Sequence, residues 1–123
     1  MILSGREVDV MNVLWERGSA TVSEVLDHLQ DELAYTTVLT ILQRLEEKGH
    51  VRHESEGKAH RYLPLVERGK VQDSAIQRMT RNLFQDSPRL LMTRLLGKGE
   101  LTQDQLRELR ALVDERLKER GEE

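Results

Sequence analysis

The sequence predicts a mainly α-helical protein with one small β-hairpin, and three observations support this prediction. Apolar residues recur at the three-and-four spacing of amphipathic helices through most of the 123 residues. The segment from Val51 to Leu63 instead alternates like two strands on either side of Gly57, which suits a tight turn. Three short helices precede this hairpin and three follow it. That order is typical of an N-terminal winged helix-turn-helix followed by a C-terminal helical domain.

Capping signals place the first two helices. Ser4 with Glu7, and Thr21 with Glu24, form capping boxes, in which a hydroxyl and a carboxylate satisfy the first amide groups of a helix. The first helix is predicted to end at Gly18, since glycine readily adopts the left-handed conformation that stops a helix. The inward side chains of this helix are predicted to be Val8, Met11, Leu14 and Trp15.

The third helix, predicted from Tyr35 or Thr36 to Lys48, has an unusual polar face. Threonines occupy it, although threonine is a poor helix former because branching at Cβ restricts its χ1 angle. Short threonine side chains would let the helix approach the major groove of DNA closely, and their hydroxyls can bond bases or phosphates. The polar face comprises Thr36, Thr37, Thr40, Gln43, Arg44 and Glu47, and the apolar face comprises Val38, Ile41, Leu42 and Leu45.

A purely structural interpretation of this polar face is also open. Thr36 would then be only the N-cap of the third helix, and the other threonines would be tolerated surface residues. Arg44 suits a contact with a guanine or with a phosphate, so it favours the DNA-binding interpretation.

The distribution of charge supports a nucleic-acid contact, although the net charge of −3 by itself argues against one. Residues 1–35 contain two basic and seven acidic residues, whereas residues 36–62 contain five basic and four acidic residues plus three histidines. The basic residues of the hairpin suit backbone phosphates. The predicted DNA-binding residues are Thr36, Thr37, Thr40, Gln43, Arg44, Lys48, Lys58 and Arg61, and Arg52 is a further hairpin cation.

Three helices in the second half carry narrow apolar stripes on otherwise charged surfaces. Each leucine left in water loses ~1.5–3 kcal/mol of the stabilisation that burial would provide. A second copy of the chain could bury the stripes in a two-fold interface. We therefore predict a C-terminal helical dimerisation domain, with packing of the stripes on the N-terminal domain as the alternative. The predicted domains are 1–66 and 67–120, with a frayed tail at 121–123. The predicted dimer contacts are Val71, Met79, Leu83, Leu91, Leu95, Leu106, Leu109, Leu112 and Val113.

Composition and motifs argue against several classes of protein. The chain has no cysteine, which rules out disulfides, thiolate chemistry and cysteine-based metal sites. No apolar run approaches the ~20 residues of a membrane span and no signal-peptide pattern is present, so we expect a cytoplasmic protein without a membrane partner. Neither a glycine-rich phosphate loop nor a serine nucleophile elbow occurs in the sequence. We therefore expect no cofactor and no enzymatic activity.

Histidines near the hairpin are the candidate metal ligands. His50 and His53 are three residues apart on a strand, so their side chains are expected to point to opposite faces. His53 and His60 could instead meet across the hairpin, with Glu54 near them. Histidine is a common zinc ligand, but exposed or phosphate-contacting histidines are the favoured interpretation, and no metal site is predicted.

The runs AYTTVLTILQRLEEKGHV and GKAHRYLPLV, together with the late run ELTQDQLRELRALV, resemble the BlaI/MecI/CopY family of bacterial repressors. The resemblance covers about residues 3–117. It implies a homodimeric winged-helix repressor that binds a palindromic operator and is associated with the nucleoid when bound. It also implies that Thr36, Thr37, Thr40 and Arg44 occupy recognition-helix positions, that the last three helices form the dimerisation domain, and that a sensor or protease controls derepression.

Two departures from this family bear on the inducing signal. Members that sense copper carry C-terminal cysteines, and this chain has none. Members that control β-lactam resistance are cleaved at an Asn-Phe bond shortly before the last helix, where this chain has Arg94 and Leu95. The resemblance therefore implies neither copper sensing nor cleavage at this bond.

Two functions of different classes remain open on the sequence. One is a dimeric DNA-binding repressor, and the other is a winged-helix module that binds protein through its acidic first and second helices. A DNA binder that neutralises several phosphates loses affinity steeply as salt rises, so the salt dependence of binding to duplex DNA separates the two. The acidic residues concerned are Glu7, Asp9, Glu24, Asp27, Asp31 and Glu32.

Overall fold

The computed structural model describes residues 3–97 and 99–121, and it contains the helices and the hairpin that the sequence predicts. Of the predicted tail at 121–123, residues 122 and 123 lie outside the described part. In chain order the elements are α1 (Gly5–Arg17), β1 (Ala20–Thr21), α2 (Val22–His28), α3 (Tyr35–Glu47), β2 (Val51–Glu56), β3 (Ala59–Pro64), α4 (Arg68–Leu83), α5 (Pro88–Gly97) and α6 (Gln103–Glu119).

The chain packs into two compact units, 1–77 and 78–123. The division falls inside α4, whereas the sequence placed the domain boundary after residue 66. The first unit contains three helices, the sheet and the first turns of α4, and it has the fold of a winged helix-turn-helix. The helices described in the structure include none that is long and apolar enough to span a membrane.

The sheet has three antiparallel strands rather than the two of the predicted hairpin, in the order β1-β3-β2. The additional strand pairs Ala20 with Tyr62 and Thr21 with Arg61. A strand of two residues is too short to show a period in the sequence, so it could not be predicted. It joins the connection between α1 and α2 to the hairpin, and it covers the edge of β3 that the two-strand prediction left open.

The core of the first unit lies where α1, α2 and α3 meet the sheet. In α1 the buried residues include Val10 and Val13, whereas Val8 and Trp15, which were predicted to point inward, are only half-buried. Because α1 contacts α2, α3 and the sheet, it buries a wider side than a single stripe of three-and-four spacing. The buried core residues are Val10, Met11, Val13, Leu14, Ala20, Val22, Val25, Val38, Leu42, Leu45, Val51 and Tyr62.

Trp15 of α1 lies at the edge of this core and connects α1 to the segment that follows β3. Its indole Nε1 donates a hydrogen bond of 2.8 Å to the carbonyl oxygen of Val66. The guanidinium of Arg68, at the first position of α4, lies 5.3 Å from the centre of the indole ring, a cation–π distance. Trp15 therefore holds the segment that enters α4, and it packs against the core as a half-buried residue, whereas the sequence predicted an inward core residue.

Glu7 is the one charged residue that is buried among those described, with 7% of its surface exposed. Its Oε1 accepts the backbone amide of Ser4 at 2.9 Å, which completes the predicted capping box of α1. Its Oε2 accepts Lys48 Nζ at 2.8 Å, and Lys48 is the C-cap of α3. One carboxylate thus joins the start of α1 to the end of α3. Burial raises the pKa of Glu7, but the bonds from Lys48 and Ser4 outweigh burial and hold the pKa below its usual value.

The second unit buries far less apolar surface. Within the described residues 78–97 and 99–121 of this unit, Leu91 alone is buried. The exposed large apolar side chains of the unit, each between 38% and 66% exposed, are Met79, Leu83, Met92, Leu95, Leu96, Leu106, Leu112, Val113 and Leu117.

We expect the substitution Glu7→Gln to lower the free energy of unfolding by about 1 kcal/mol near neutral pH, because the amide loses the charged bond to Lys48. The folded-state pKa of Glu7 is depressed, so its contribution is present above the unfolded-state pKa and is lost as pH falls through the folded-state pKa. The deficit measured by urea denaturation should therefore shrink below about pH 4.

The matched control for this test is Asp9→Asn, which removes an exposed carboxylate from the same helix. We expect this control to leave stability nearly unchanged. A Glu7→Gln deficit of equal size at acidic and neutral pH would contradict a stabilising role of the ionised carboxylate.

Candidate nucleic-acid interface

The polar face of α3 points away from the core, as its sequence predicts. Val38, Leu42 and Leu45 are fully buried, and they fix the rotation of the helix about its axis. The opposite side is left to solvent. Thr36, Thr40, Gln43 and Arg44 are exposed and Thr37 is half-buried.

The first turn of α3 differs from the starts of other helices. Its N-cap is Ala34, which makes no side-chain cap hydrogen bond, whereas α1, α2 and α6 all begin with capping boxes. Thr36 lies inside the helix, so the interpretation of Thr36 as a mere N-cap is wrong. The open first turn presents the amide groups of Tyr35 and Thr36 to an external acceptor such as a phosphate.

Thr40 uses its hydroxyl proton within the helix. Its Oγ1 donates a hydrogen bond of 2.9 Å to the carbonyl oxygen of Thr36, one turn earlier. This bond satisfies the hydroxyl donor of Thr40 within the helix, which explains how a poor helix former is tolerated there. Thr40 therefore offers a methyl group and an accepting oxygen to a ligand while the bond to Thr36 persists.

Arg44 and Arg6 are the unpaired cations beside this face. Neither forms an ion pair with any residue in the described part of the chain. Both line a groove of about 510 Å³ between the start of α1 and α3, here called the α1–α3 groove. Sequence reasoning missed Arg6, because the charge pattern of α1 alone does not show which helix lies beside it. The groove is lined by Ser4, Arg6, Glu7, Thr36, Thr37, Thr40, Ile41, Arg44 and Lys48.

The hairpin of β2 and β3, here called the wing, turns in two residues. Glu56 pairs with Ala59, so Gly57 and Lys58 form the loop. Gly57 has a φ of 60°, in the left-handed region that the first position of a tight hairpin turn requires. This geometry places Lys58 at the exposed tip of the wing, next to the predicted turn residue Gly57.

The two arginines of the wing are held in ion pairs. Arg52 Nη1 lies 2.9 Å from Glu54, and Arg61 lies 3.0 Å from both Glu56 and Glu24. The hydrogen bond to Glu56, and then the one to Glu24, raise the pKa of Arg61. The side chain of Arg61 is only 26% exposed. Arg61 thus joins the wing to α2, and a phosphate would have to compete with two carboxylates for it. Among residues 51–64, Lys58 is the cation that has no ion pair.

His53 and His60 meet across the wing, as predicted. Their rings stack with centroids 4.2 Å apart and an interplanar angle of 10°. His53 Nδ1 lies 2.7 Å from Oε2 of Glu46, near the end of α3. Glu46, and not the predicted Glu54, is therefore the carboxylate beside these rings. No cluster of three or more potential metal ligands occurs within the described residues.

Comparisons with known proteins cover nearly the whole chain. The profile of the family described as penicillinase repressor matches residues 3–115. The methicillin resistance regulatory protein MecI of Mammaliicoccus sciuri is 23% identical over 116 residues, which are 93% of this chain and 94% of that protein. The penicillinase repressor of Bacillus licheniformis is 24% identical over 115 residues, 92% of this chain and 90% of that protein.

Two solved structures are similar to this chain. The DNA-binding domain of the repressor BlaI, solved in solution, has a TM-score of 0.50 and 32% identity, and the match covers 54% of this chain and 83% of that chain. A MarR family protein from Bacillus stearothermophilus has a TM-score of 0.56 over 99% of this chain and 78% of its own, and its 16% identity shows likeness of fold alone. From the family profile, and from a first unit with the expected fold, the chain belongs to the penicillinase repressor family of winged-helix transcriptional repressors.

Proposed function

We propose that this repressor acts as a homodimer, in which α3 of each protomer reads the major groove of a palindromic operator. The main support for this proposal is the exposed face of α3, which presents short threonine side chains and Arg44. The first turn of this helix has no side-chain cap, so its amide groups are available to an external acceptor. Threonine side chains let a helix backbone come close to base edges, and Arg44 is long enough to reach a guanine or a phosphate.

The cations without partners support this orientation on DNA. Arg6 lies in the α1–α3 groove on one side of α3, and Lys58 lies at the tip of the wing. An ion-paired cation must give up its carboxylate before it can hold a phosphate, whereas these two need not. We propose Arg6 and Lys58 as the phosphate contacts. Lys48 and Arg61, which are engaged with carboxylates, contribute less.

The homodimer is proposed from the exposed apolar surface of the second unit. A unit that buries only Leu91 among its described residues, while its helices expose many large apolar side chains, lacks a core of its own. A two-fold interface buries the same surface on both copies, which covers it economically. We therefore assign DNA binding to residues 1–66 and dimerisation to residues 67–120. Leu91 is already buried within one protomer. It would therefore pack behind the exposed side chains that form the interface and not contact the second copy directly.

Derepression is proposed to require a further partner, either a sensor or a protease. Arg94 and Leu95, which replace the Asn-Phe pair of β-lactam regulators, lie inside α5. A protease that cuts within a helix needs local unfolding of that helix first. Leu95 is also 52% exposed and belongs to the proposed dimer surface, so dimerisation would protect this bond.

Footprinting of the purified protein on DNA of its own host, at ~50 and ~200 mM salt, tests the proposed function. We expect protected palindromes near promoters, and weaker protection at the higher salt concentration because released counterions oppose binding. No protected site at low salt would contradict the proposal and favour the protein-binding module.

We expect Arg44→Ala to weaken binding to the protected site by ~1–3 kcal/mol, roughly ten- to hundred-fold, if Arg44 reads a base. Titration of labelled duplex by fluorescence anisotropy measures this change. The control Arg107→Ala removes an exposed arginine of α6 that pairs with Asp104, and it should leave affinity unchanged. Unchanged affinity in a folded Arg44→Ala protein would refute a base contact by Arg44.

Leu112→Asp should convert the dimer into monomers, because it places a charge on the exposed apolar side of α6. Sedimentation velocity measures the oligomeric state. The control Ala111→Asp introduces the same charge at an exposed position on the side of the helix away from Leu106, Val113 and Leu117, and this variant should remain dimeric. A Leu112→Asp protein that stays dimeric would show that the interface does not include α6.

A further inference from the structure

The wing carries little positive charge that DNA can use. Residues 51–64 contain three cations and two carboxylates, a formal charge of +1 with neutral histidines. Arg52 and Arg61 are paired with Glu54 and Glu56, which leaves Lys58 as the available cation of the wing. Arg52 and Arg61 can reach a phosphate only by leaving these carboxylates, so the histidines, when protonated, are the other cationic candidates of the wing.

The two histidines lie on the side of the wing that faces α3. His53 pairs with Tyr62 and Ser55 pairs with His60, and directly paired residues of antiparallel strands share a face. Val51 and Tyr62 on this same face are buried in the core. The histidine rings are further out toward the tip and remain accessible, with 35% of the His53 side chain exposed.

Helical geometry places the histidine pair beside the exposed face of α3. Arg44 and Lys48, which line the α1–α3 groove, lie on one flank of that face. Glu46, which contacts His53, lies on the opposite flank, because two residues along a helix turn it by about 200°. Thr36 and Thr40, near the middle of the exposed face, thus lie between the flank of Arg44 and the flank of Glu46.

We propose that His53 and His60 together form a phosphate-binding pair of the wing that takes up a proton when the protein binds DNA. The proposal rests on the proposed function, since it assumes that α3 and the wing contact duplex DNA. It adds a contact and a pH dependence to that function.

The charges around the pair explain why binding and protonation are coupled. With both imidazoles neutral, Glu46 makes the site negative and repels a phosphate. One proton on the pair cancels the charge of Glu46, and a second makes the site positive. Two imidazolium rings stacked at 4.2 Å repel each other, and a phosphate beside them offsets that repulsion.

The other groups around the pair do not supply this charge. Tyr62 on β3 touches both rings, but burial raises the pKa of its phenol, which stays neutral. Arg52, Glu54 and Arg61 alternate with the histidines along the strands and lie on the opposite face of the wing. Glu46 is thus the charged group that α3 directs at the pair.

Fluorescence anisotropy with a mixed-sequence duplex of about 30 base pairs at low salt tests the proposal, because phosphate contacts do not depend on sequence. Histidine changes its charge between about pH 5 and pH 8. We expect the wild-type protein to bind at least four-fold more tightly per protomer at about pH 6 than at about pH 8, and uptake of one full proton throughout this range would make the change ~100-fold.

Three variants separate the pair from other titrating groups. The double variant His53→Gln/His60→Gln should lose most of this pH dependence. The control His28→Gln removes an exposed histidine of α2 that bonds to Arg17, and it should keep the wild-type pH dependence. Glu46→Gln should tighten binding at pH 8, because it removes the repelling carboxylate, whereas loss of a merely structural contact would weaken binding.

The outcomes distinguish this proposal from the proposed function. Binding that is independent of pH, or a double variant with the wild-type pH dependence and native circular dichroism, overturns the histidine proposal alone. Absence of binding to any duplex at both pH values overturns the proposed function and the histidine proposal with it.

Discussion

Burial of one side of α3 is the constraint on which the rest of the first unit depends. Val38, Leu42 and Leu45 are fully buried, and each such side chain stabilises the fold by ~1.5–3 kcal/mol relative to exposure. Rotating the helix by even a third of a turn would expose them, so the polar side is held outward. The bond between Glu7 and Lys48 fixes the end of α3 against the start of α1. The orientation of the threonine face is therefore a consequence of core packing.

Ion pairs decide which cations of the first unit remain available to a ligand. Arg52 and Arg61 look equivalent to Lys58 in the sequence, yet both are held by carboxylates, and Arg61 contacts Glu24 of α2 across the β1-β3 edge. This pairing stiffens the wing and lowers its usable charge.

The two units differ in how much of their apolar surface they bury. The first buries a continuous core among three helices and a sheet, with Trp15 at its margin holding Val66. The second exposes apolar side chains such as Leu83 and Leu112 along its helices. Its stability is thus expected to depend on a second chain, because surface of this kind gains its free energy only when it is removed from water.

Local signals were enough to predict the helices, the hairpin and the polar face of α3, since caps, glycine stops and apolar periodicity act over a few residues. The family resemblance also followed from contiguous motifs in the sequence. Only the tertiary structure showed the strand β1, the place of Arg6 beside α3, the pairing of Arg61 and the contact of Glu46 with His53. Each of these joins residues far apart in the chain or in different elements, and such contacts leave no periodic trace in one sequence because packing of the whole unit creates them.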